Sequence, residues 1–121
     1  MPNLGFTIKQ DKELTRDFKK WVLVRKSLGL QSFGMNMVEL PSGDSIPEHD
    51  EVSRDQEEVF YIVKCTATMV INGVEYAAPE GTFIRLDVEP KRFVKNKSES
   101  LVIFLIISAP RTSGYEPLDW A

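Results

Sequence analysis

Turn-forming residues recur at short intervals along this chain and divide it into short apolar runs. They are Pro41, Gly43, Pro47, Asn72, Gly73, Pro79, Gly81, Pro90 and Pro110. The runs between them are rich in Val, Ile, Phe, Tyr and Met, and such residues fit a pleated, half-buried surface. Turns at this spacing are typical of an all-β sandwich or barrel. We therefore predict an all-β, antiparallel fold.

The pair Asn72-Gly73 marks the clearest hairpin, spanning 67–76, because both residues accept the positive φ angles of a type I′ turn. Further strands are predicted over these ranges: 33–40, 58–64, 82–86, 91–96 and 101–108. The last of these is apolar on both faces. Such a strand is covered on both sides, either by two sheets or by a sheet and a partner subunit. We therefore also expect a homodimer.

The segment 17–28 interrupts this pattern near the start of the chain. Trp21, Val24 and Leu28 recur at helical spacing, and Gly29 follows where a left-handed helix cap would lie. This predicts one short N-terminal helix. The alternative is a strand over 21–25, whose Val and Leu side chains fit a strand about as well.

Length and charge restrict the class of protein. At 121 residues, with 42% hydrophobic and 27% charged residues, the composition is that of one folded domain. The 15 basic residues are scattered against 18 acidic ones, so we expect no nucleic-acid partner and no membrane partner. The basic cluster of Lys19, Lys20, Arg25 and Lys26 is interpreted as a solvated helix face.

Cysteine usage and apolar run length suggest a compartment. Cys65 is the only cysteine, which excludes an intrachain disulfide. The first residues lack the layout of a secretory signal, and the run Leu101 to Ile107 is too short to span a bilayer. We therefore expect a cytoplasmic protein.

The candidate chemistry lies between positions 43 and 65. His49 and Glu51 are two residues apart on an extended segment and so project to the same side. Glu58 opens the following strand, with Phe60 on the same face. An imidazole and carboxylates that converge inside a barrel form a plausible divalent-metal site.

This stretch resembles the first motif of the cupin superfamily, specifically of small single-domain bacterial cupins. That motif runs Gly, five residues, His-x-His, three or four residues, Glu, six residues, Gly. Here Gly43 and His49 keep the first spacing, and Glu51 stands where the second histidine is expected. Glu58 follows after a longer gap, and Cys65 replaces the last glycine.

The second cupin motif is also recognisable. It begins Gly, five residues, Pro-x-Gly, a spacing that Gly73, Pro79 and Gly81 meet. It closes with His, three residues, Asn, where this chain has Arg92 and Asn96.

The resemblance covers about Met35 to Ile107. It implies a cupin barrel, that is, a double-stranded β-helix or jelly roll, as a single domain over 1–121. An N-terminal extension would occupy 1–30, the conserved barrel about 31–108, and a C-terminal tail 109–121.

The resemblance also implies a site. A cupin holds its metal through three histidines and one glutamate, and this chain keeps His49 and Glu58, with Glu51 as a second carboxylate. Arg92 cannot be a ligand, because its guanidinium stays protonated and has no lone pair to give. The implied metal ligands are His49, Glu51 and Glu58; the implied ligand pocket is bounded by His49, Glu58, Phe60 and Arg92.

Each of these residues also has a structural interpretation. His49 could lie on a surface loop, Glu51 could belong to an acidic solvated loop, and Arg92 could point outward. Cys65 is interpreted as a small buried hydrophobe rather than a nucleophile.

Three functions remain open from the sequence. The sequence favours the first, a cupin that binds a small, anionic molecule without a firmly held metal, with Arg92 supplying the positive charge. The second is a metal-dependent oxygenase, isomerase or lyase that uses His49, Glu51 and Glu58 with Fe, Mn, Ni or Zn. The third is an assembly or regulatory module, because fold alone does not determine activity.

Overall fold

The computed structural model describes residues 4–121, which form two antiparallel sheets. The strands are β1 (Arg16–Asp17), β2 (Trp21–Val22), β3 (Gly34–Leu40), β4 (Gln56–Lys64), β5 (Ala67–Ile71), β6 (Val74–Ala78), β7 (Phe83–Leu86), β8 (Arg92–Lys95) and β9 (Val102–Pro110). One α-helix, α1 (Val24–Leu28), lies within this part of the chain. The sheet orders are β1-β2-β3-β9-β4-β7 and β6-β5-β8. The predicted antiparallel β-barrel with one short N-terminal helix is confirmed.

The last strand, β9, occupies the middle of the six-stranded sheet, between β3 and β4. Its side chains alternate, with Val102, Phe104 and Ile106 buried inside the barrel and the intervening ones half-buried on the outer face. The apolar run read from the sequence is therefore a central strand, and its inward half supplies the core.

The core lies between the two sheets. It includes these side chains, each at most 1% exposed: Val38, Leu40, Phe60, Ile62, Ala67, Met69, Ala78, Val94, Val102 and Phe104. The Phe60 and Phe104 rings stack with centroids 6.0 Å apart. Each large apolar side chain buried in this way contributes about 1.5 to 3 kcal/mol. Phe60 and Ile62 of this core lie on β4, the strand that also carries Glu58.

The hairpin predicted at Asn72-Gly73 is present. Asn72 has φ 50° and Gly73 has φ 79°, as a type I′ turn requires. The Asn72 side-chain oxygen also accepts a hydrogen bond from the Lys91 backbone N–H at 2.9 Å, which ties the turn to the start of β8.

The N-terminal segment combines the two interpretations of the sequence. The helix is shorter than the 17–28 segment suggested, because Trp21 and Val22 pair with β3 opposite Val38 and Met37. The edge of β3 offers these residues backbone hydrogen bonds that a helix start would not satisfy. The helix begins only at residue 24 and ends at Gly29, whose φ of 75° is the expected left-handed cap.

The basic cluster is not one solvated helix face. Lys20 lies before the helix and donates to the Asp44 carboxylate at 3.1 Å and to the Ser45 carbonyl at 2.9 Å. Arg25, on the helix, lines a cavity described below. The helix is too short to present all four cations together.

No helix within residues 4–121 is long and apolar enough to cross a membrane. The cytoplasmic location stays a prediction.

The outer face of the six-stranded sheet is apolar over several strands. The half-buried side chains on it are Met35, Met37, Val59, Tyr61, Ile103, Leu105 and Ile107. Phe83 on β7 is 73% exposed and packs its ring 4.4 Å from that of Tyr61. The homodimer expected from the sequence would cover this face, and it stays a prediction.

We expect sedimentation to show a dimer at micromolar concentration and Leu105→Lys to sediment as a monomer, because a charge on this face opposes apolar burial. Val74→Lys is the matched control, since Val74 is 52% exposed on the other sheet. A monomeric wild type at this concentration would refute the dimer.

The bend after β4 places Cys65 at φ 64°, in the left-handed region. Cys65 is the position where the cupin motif has glycine, and glycine adopts this φ without a Cβ clash. Its half-buried side chain packs against the core, in agreement with the structural interpretation.

We expect Cys65→Gly to be more stable than Cys65→Ala by about 1 kcal/mol, because both lose the sulfur and only glycine removes the clash. Urea denaturation of the two variants measures the difference. Equal stability would mean that the backbone at this bend is not strained.

Candidate metal centre and ligand cavity

The segment 43–51 runs antiparallel to β8 and its flanks, and this pairing orients the first site residues. The His49 N–H donates to the Arg92 carbonyl at 3.0 Å, and the Arg92 N–H donates back at 2.8 Å. The Glu51 N–H donates to the Val88 carbonyl at 2.9 Å. This extended backbone projects His49 and Glu51 to the same side, as their spacing predicted.

Glu58 reaches the same place from the other sheet. On β4 it lies opposite Ser108 of β9 and Leu86 of β7, on the inward face that also carries Phe60. His49 Nε2 lies 3.5 Å from Glu58 Oε1 and 3.5 Å from Glu51 Oε1. One ligand atom from each residue falls within 4.8 Å of the others. These three side chains could therefore hold a metal ion.

The His49 ring is oriented by the backbone. Its Nδ1 lies 3.2 Å from the Pro47 carbonyl oxygen, which can only accept a hydrogen bond. The neutral ring therefore carries its proton on Nδ1, and the lone pair of Nε2 faces the two carboxylates. Metal-binding histidines commonly show this arrangement, in which one ring nitrogen donates to a carbonyl and the other binds the ion.

The proximity of like and unlike charges shifts two pKa values. The adjacent Glu58 carboxylate, and more weakly Glu51, raises the pKa of His49. Burial, and then the negative charge of Glu58, raises the pKa of Glu51. Both shifts favour the proton-bound form, so the cluster attracts positive charge, either as a proton or as a cation.

Arg92 lies behind the cluster with its side chain fully buried. Its terminal nitrogens donate to the backbone carbonyls of Asp87 and Val88. Its Nε lies 3.5 Å from Glu58 Oε1, and neither atom has a hydrogen-bond partner among residues 4–121. Arg92 therefore points inward and compensates Glu58, but the pair leaves a carboxylate oxygen unsatisfied.

A cavity of about 570 Å³ opens over this cluster. His49, Glu51 and Glu58 line it, together with Trp21, Arg25, Gln31, Asn36, Arg54, Gln56 and Ile106, among others. Of the four residues predicted to bound a pocket, His49 and Glu58 lie on its wall. Phe60 and Arg92 are fully buried and lie behind the wall, because Phe60 packs in the core and Arg92 turns toward backbone carbonyls.

Asn96, the last residue of the second motif, supports the barrel rather than the cavity. Its side-chain nitrogen donates to the carbonyls of Leu40 at 2.9 Å and Ser100 at 2.7 Å. Its side-chain oxygen accepts from the N–H and the hydroxyl of Ser98. Four hydrogen bonds thus satisfy a side chain that is 1% exposed.

Sequence reasoning missed the polar and aromatic residues that complete the cavity. Trp21 and Arg25 come from the N-terminal segment, outside the part of the chain that resembles the motifs. Arg54 comes from the loop before β4. It lies within a mostly acidic stretch, which we interpreted only in terms of its carboxylates. A motif gives no spacing for these positions, because strand pairing and not sequence distance brings them to the cavity.

Comparisons with known proteins bear on the fold. No family model matches the chain, and no curated protein matches it by sequence. Among solved structures, a cupin protein from Bacteroides fragilis superposes with a TM-score of 0.74 at 22% identity, covering 93% of this chain and 94% of the other. At this identity the similarity establishes the fold.

Two further structures carry names that describe an activity. A predicted oxalate decarboxylase from Thermotoga maritima has a TM-score of 0.71 at 15% identity, with 86% of this chain and 99% of the other covered. A sugar phosphate isomerase of the cupin superfamily from Silicibacter pomeroyi has a TM-score of 0.65 at 17% identity. That match covers 74% of this chain and 57% of the other. The chain therefore has the cupin fold, as the motif resemblance implied.

We expect Arg92→Met to lower the free energy of unfolding by about 3 to 5 kcal/mol, because it leaves Glu58 buried without its compensating charge. Arg85→Met, at an exposed surface ion pair, is the control and should lower the free energy of unfolding much less. Urea denaturation measures both. Arg92→Met combined with Glu58→Gln should lose less than the sum of the single losses, whereas strictly additive losses would show that the two charges are not coupled.

Proposed function

We propose that this chain is a small-molecule-binding cupin whose cavity carries a divalent-metal site formed by His49, Glu51 and Glu58. The observation that carries the proposal is that His49 Nε2 lies 3.5 Å from a carboxylate oxygen of each of two buried glutamates. Three acceptors this close repel one another unless a cation or a proton lies between them. The site therefore needs a positive species at its centre.

The donor set fits a divalent ion. An imidazole with two carboxylates suits Fe, Mn, Ni or Zn, and the open side toward the cavity leaves coordination positions for a ligand. The unsatisfied Glu58 Oε1 is a buried acceptor that such an ion would satisfy. When bound, the metal would supply a Lewis acid that polarises an oxygen of the ligand.

The charges around the site also support a cation. Glu51 and Glu58 carry two negative charges, and Arg92 offsets one of them, so with neutral His49 the cluster keeps one net negative charge. Arg92 uses its terminal nitrogens on backbone carbonyls, away from the three donors. Its charge weakens metal binding relative to the histidine that the cupin motif has at this position but leaves the net attraction in place.

A metal-free cavity is the alternative. Under that hypothesis a protonated His49 lies between the carboxylates, and Arg92 supplies the positive charge that binds an anionic ligand. The burial of Arg92 weighs against the second part, because a fully buried guanidinium does not reach a molecule in the cavity. We therefore favour a bound divalent metal over a metal-free cavity. This is the reverse of the preference drawn from the sequence.

The names of the similar structures support a small acidic ligand. Oxalate and sugar phosphates are both small anions, and each appears in the name of a protein with this fold. The cavity volume of about 570 Å³ suits a molecule of that size.

We expect protein purified without a histidine tag to bind about one equivalent of Mn²⁺ or Zn²⁺ in calorimetric titration. Glu51→Gln should weaken this binding by at least about tenfold, because it removes a charged ligand while leaving the Glu58–Arg92 pair intact. Glu57→Gln is the matched control, since Glu57 neighbours Glu58 but pairs with Arg85 on the surface.

Two results would contradict the metal site. The first is a wild-type protein that binds neither ion, which would restore the metal-free reading. The second is equal metal affinity in wild type and Glu51→Gln, which would place the ion elsewhere.

A further inference from the structure

The arginines of this chain divide into two groups. Four have a carboxylate within ion-pair distance: Arg16, Arg85, Arg92 and Arg111. Arg25 and Arg54 have no such partner among residues 4–121, and both line the cavity that contains His49 and the two glutamates. The chain carries a net charge of −3, so acidic groups were available to pair with them. The guanidinium groups left without a carboxylate are thus the ones on the cavity wall.

Arg25 is held in place by its backbone and one hydrogen bond. It lies in the first turn of α1, whose end at Gly29 is capped by hydrogen bonds to the carbonyls of Arg25 and Lys26. Its Nη1 donates to the Leu30 carbonyl at 3.3 Å. This bond uses one of the five N–H donors of the guanidinium, and the others remain for a ligand.

Arg54 reaches the cavity from a different element, the loop that leads from Glu51 into β4. Arg54 lines the same cavity as His49, Glu51 and Glu58, and it forms no ion pair with a carboxylate among residues 4–121.

We propose that Arg25 and Arg54 bind an acidic group, a carboxylate or a phosphate, of the small molecule that enters this cavity. The inference rests on the proposed function, in that it assigns the ligand class of the same cavity. The planar guanidinium fork matches the oxygens of either group and can bind them in pairs. The ligand is thus held by its acidic end at Arg25 and Arg54, and its remaining part faces His49, Glu51 and Glu58.

The charge of the whole cavity agrees with an anion. Arg25 and Arg54 balance Glu51 and Glu58, and Arg92 behind the wall adds one more positive charge. The charged side chains on the cavity wall therefore sum to no net charge within a protein of net charge −3, so the wall repels an anion less than the protein as a whole does. Trp21 and Ile106 supply apolar wall, which favours a ligand with a carbon skeleton.

The test is calorimetric titration with three probes, namely malonate, inorganic phosphate and the neutral analogue malonamide. The protein is dialysed free of metal and chelator and then measured again after loading with Mn²⁺. We expect malonate or phosphate to bind in both states, and the stronger of the two identifies the acidic group. Arg25→Gln and Arg54→Gln should each weaken that binding by about tenfold or more, because each removes charge-assisted hydrogen bonds.

Arg85→Gln is the matched control, since Arg85 is an exposed arginine that pairs with Glu57 and Asp87 outside the cavity. It should bind the probes as wild type does. Arg25→Gln and Arg54→Gln should bind Mn²⁺ as wild type does. If the proposed metal site is wrong, the wild type will not bind Mn²⁺; if the proposed role of the two arginines is wrong, the variants will bind the acidic probes as wild type does.

Three outcomes would overturn the inference. The first is that Arg25→Gln and Arg54→Gln bind the acidic probes with wild-type affinity. The second is that Arg85→Gln loses as much affinity for the probes as they do, which would indicate an effect of the protein's overall charge. The third is that malonamide binds as tightly as malonate. Absence of any anion binding by wild type in both metal states would overturn it as well.

Discussion

The antiparallel pairing of segment 43–51 with β8 is the interaction on which the site depends. Two reciprocal hydrogen bonds join His49 to Arg92, and they fix one edge of the smaller sheet against the cavity. The segment forms no strand of either sheet and pairs with β8 only at single residues, yet it carries His49 and Glu51. Without this pairing, both side chains would lie on a solvated loop, and Glu58 on the opposite sheet would face the cavity alone.

The buried charges are the second constraint. Arg92 and Glu58 occupy positions that a β-barrel of this size would otherwise fill with apolar side chains, and burial of an ion pair seldom adds stability by itself. Their geometry is also incomplete, because the closest nitrogen and oxygen lie 3.5 Å apart with no hydrogen bond. This incomplete pairing is the reason that we propose a bound cation at the site rather than a purely stabilising role for the pair.

The turn positions explain why the fold could be predicted. Gly43, Gly73 and Gly81 all adopt positive φ, so the motif spacing reports backbone conformations that the barrel requires. Cys65 adopts the same region at the motif's remaining glycine position, which shows that the backbone path is kept even where the residue is not. The helix was less predictable, because strand pairing with β3 took Trp21 out of a helical pattern.

The sequence by itself determined the strands and the hairpin, since alternating side chains and turn chemistry are local properties of the chain, and the cupin motif spacing indicated that His49, Glu51 and Glu58 converge. Tertiary structure decided which way Arg92 turns, because backbone carbonyls of residues 87 and 88 and the carboxylate of Glu58 together compensate its charge. It also decided that Arg25 and Arg54 reach one cavity from segments 29 positions apart. Such long-range proximity depends on how the strands pair, and no local pattern of residues encodes it.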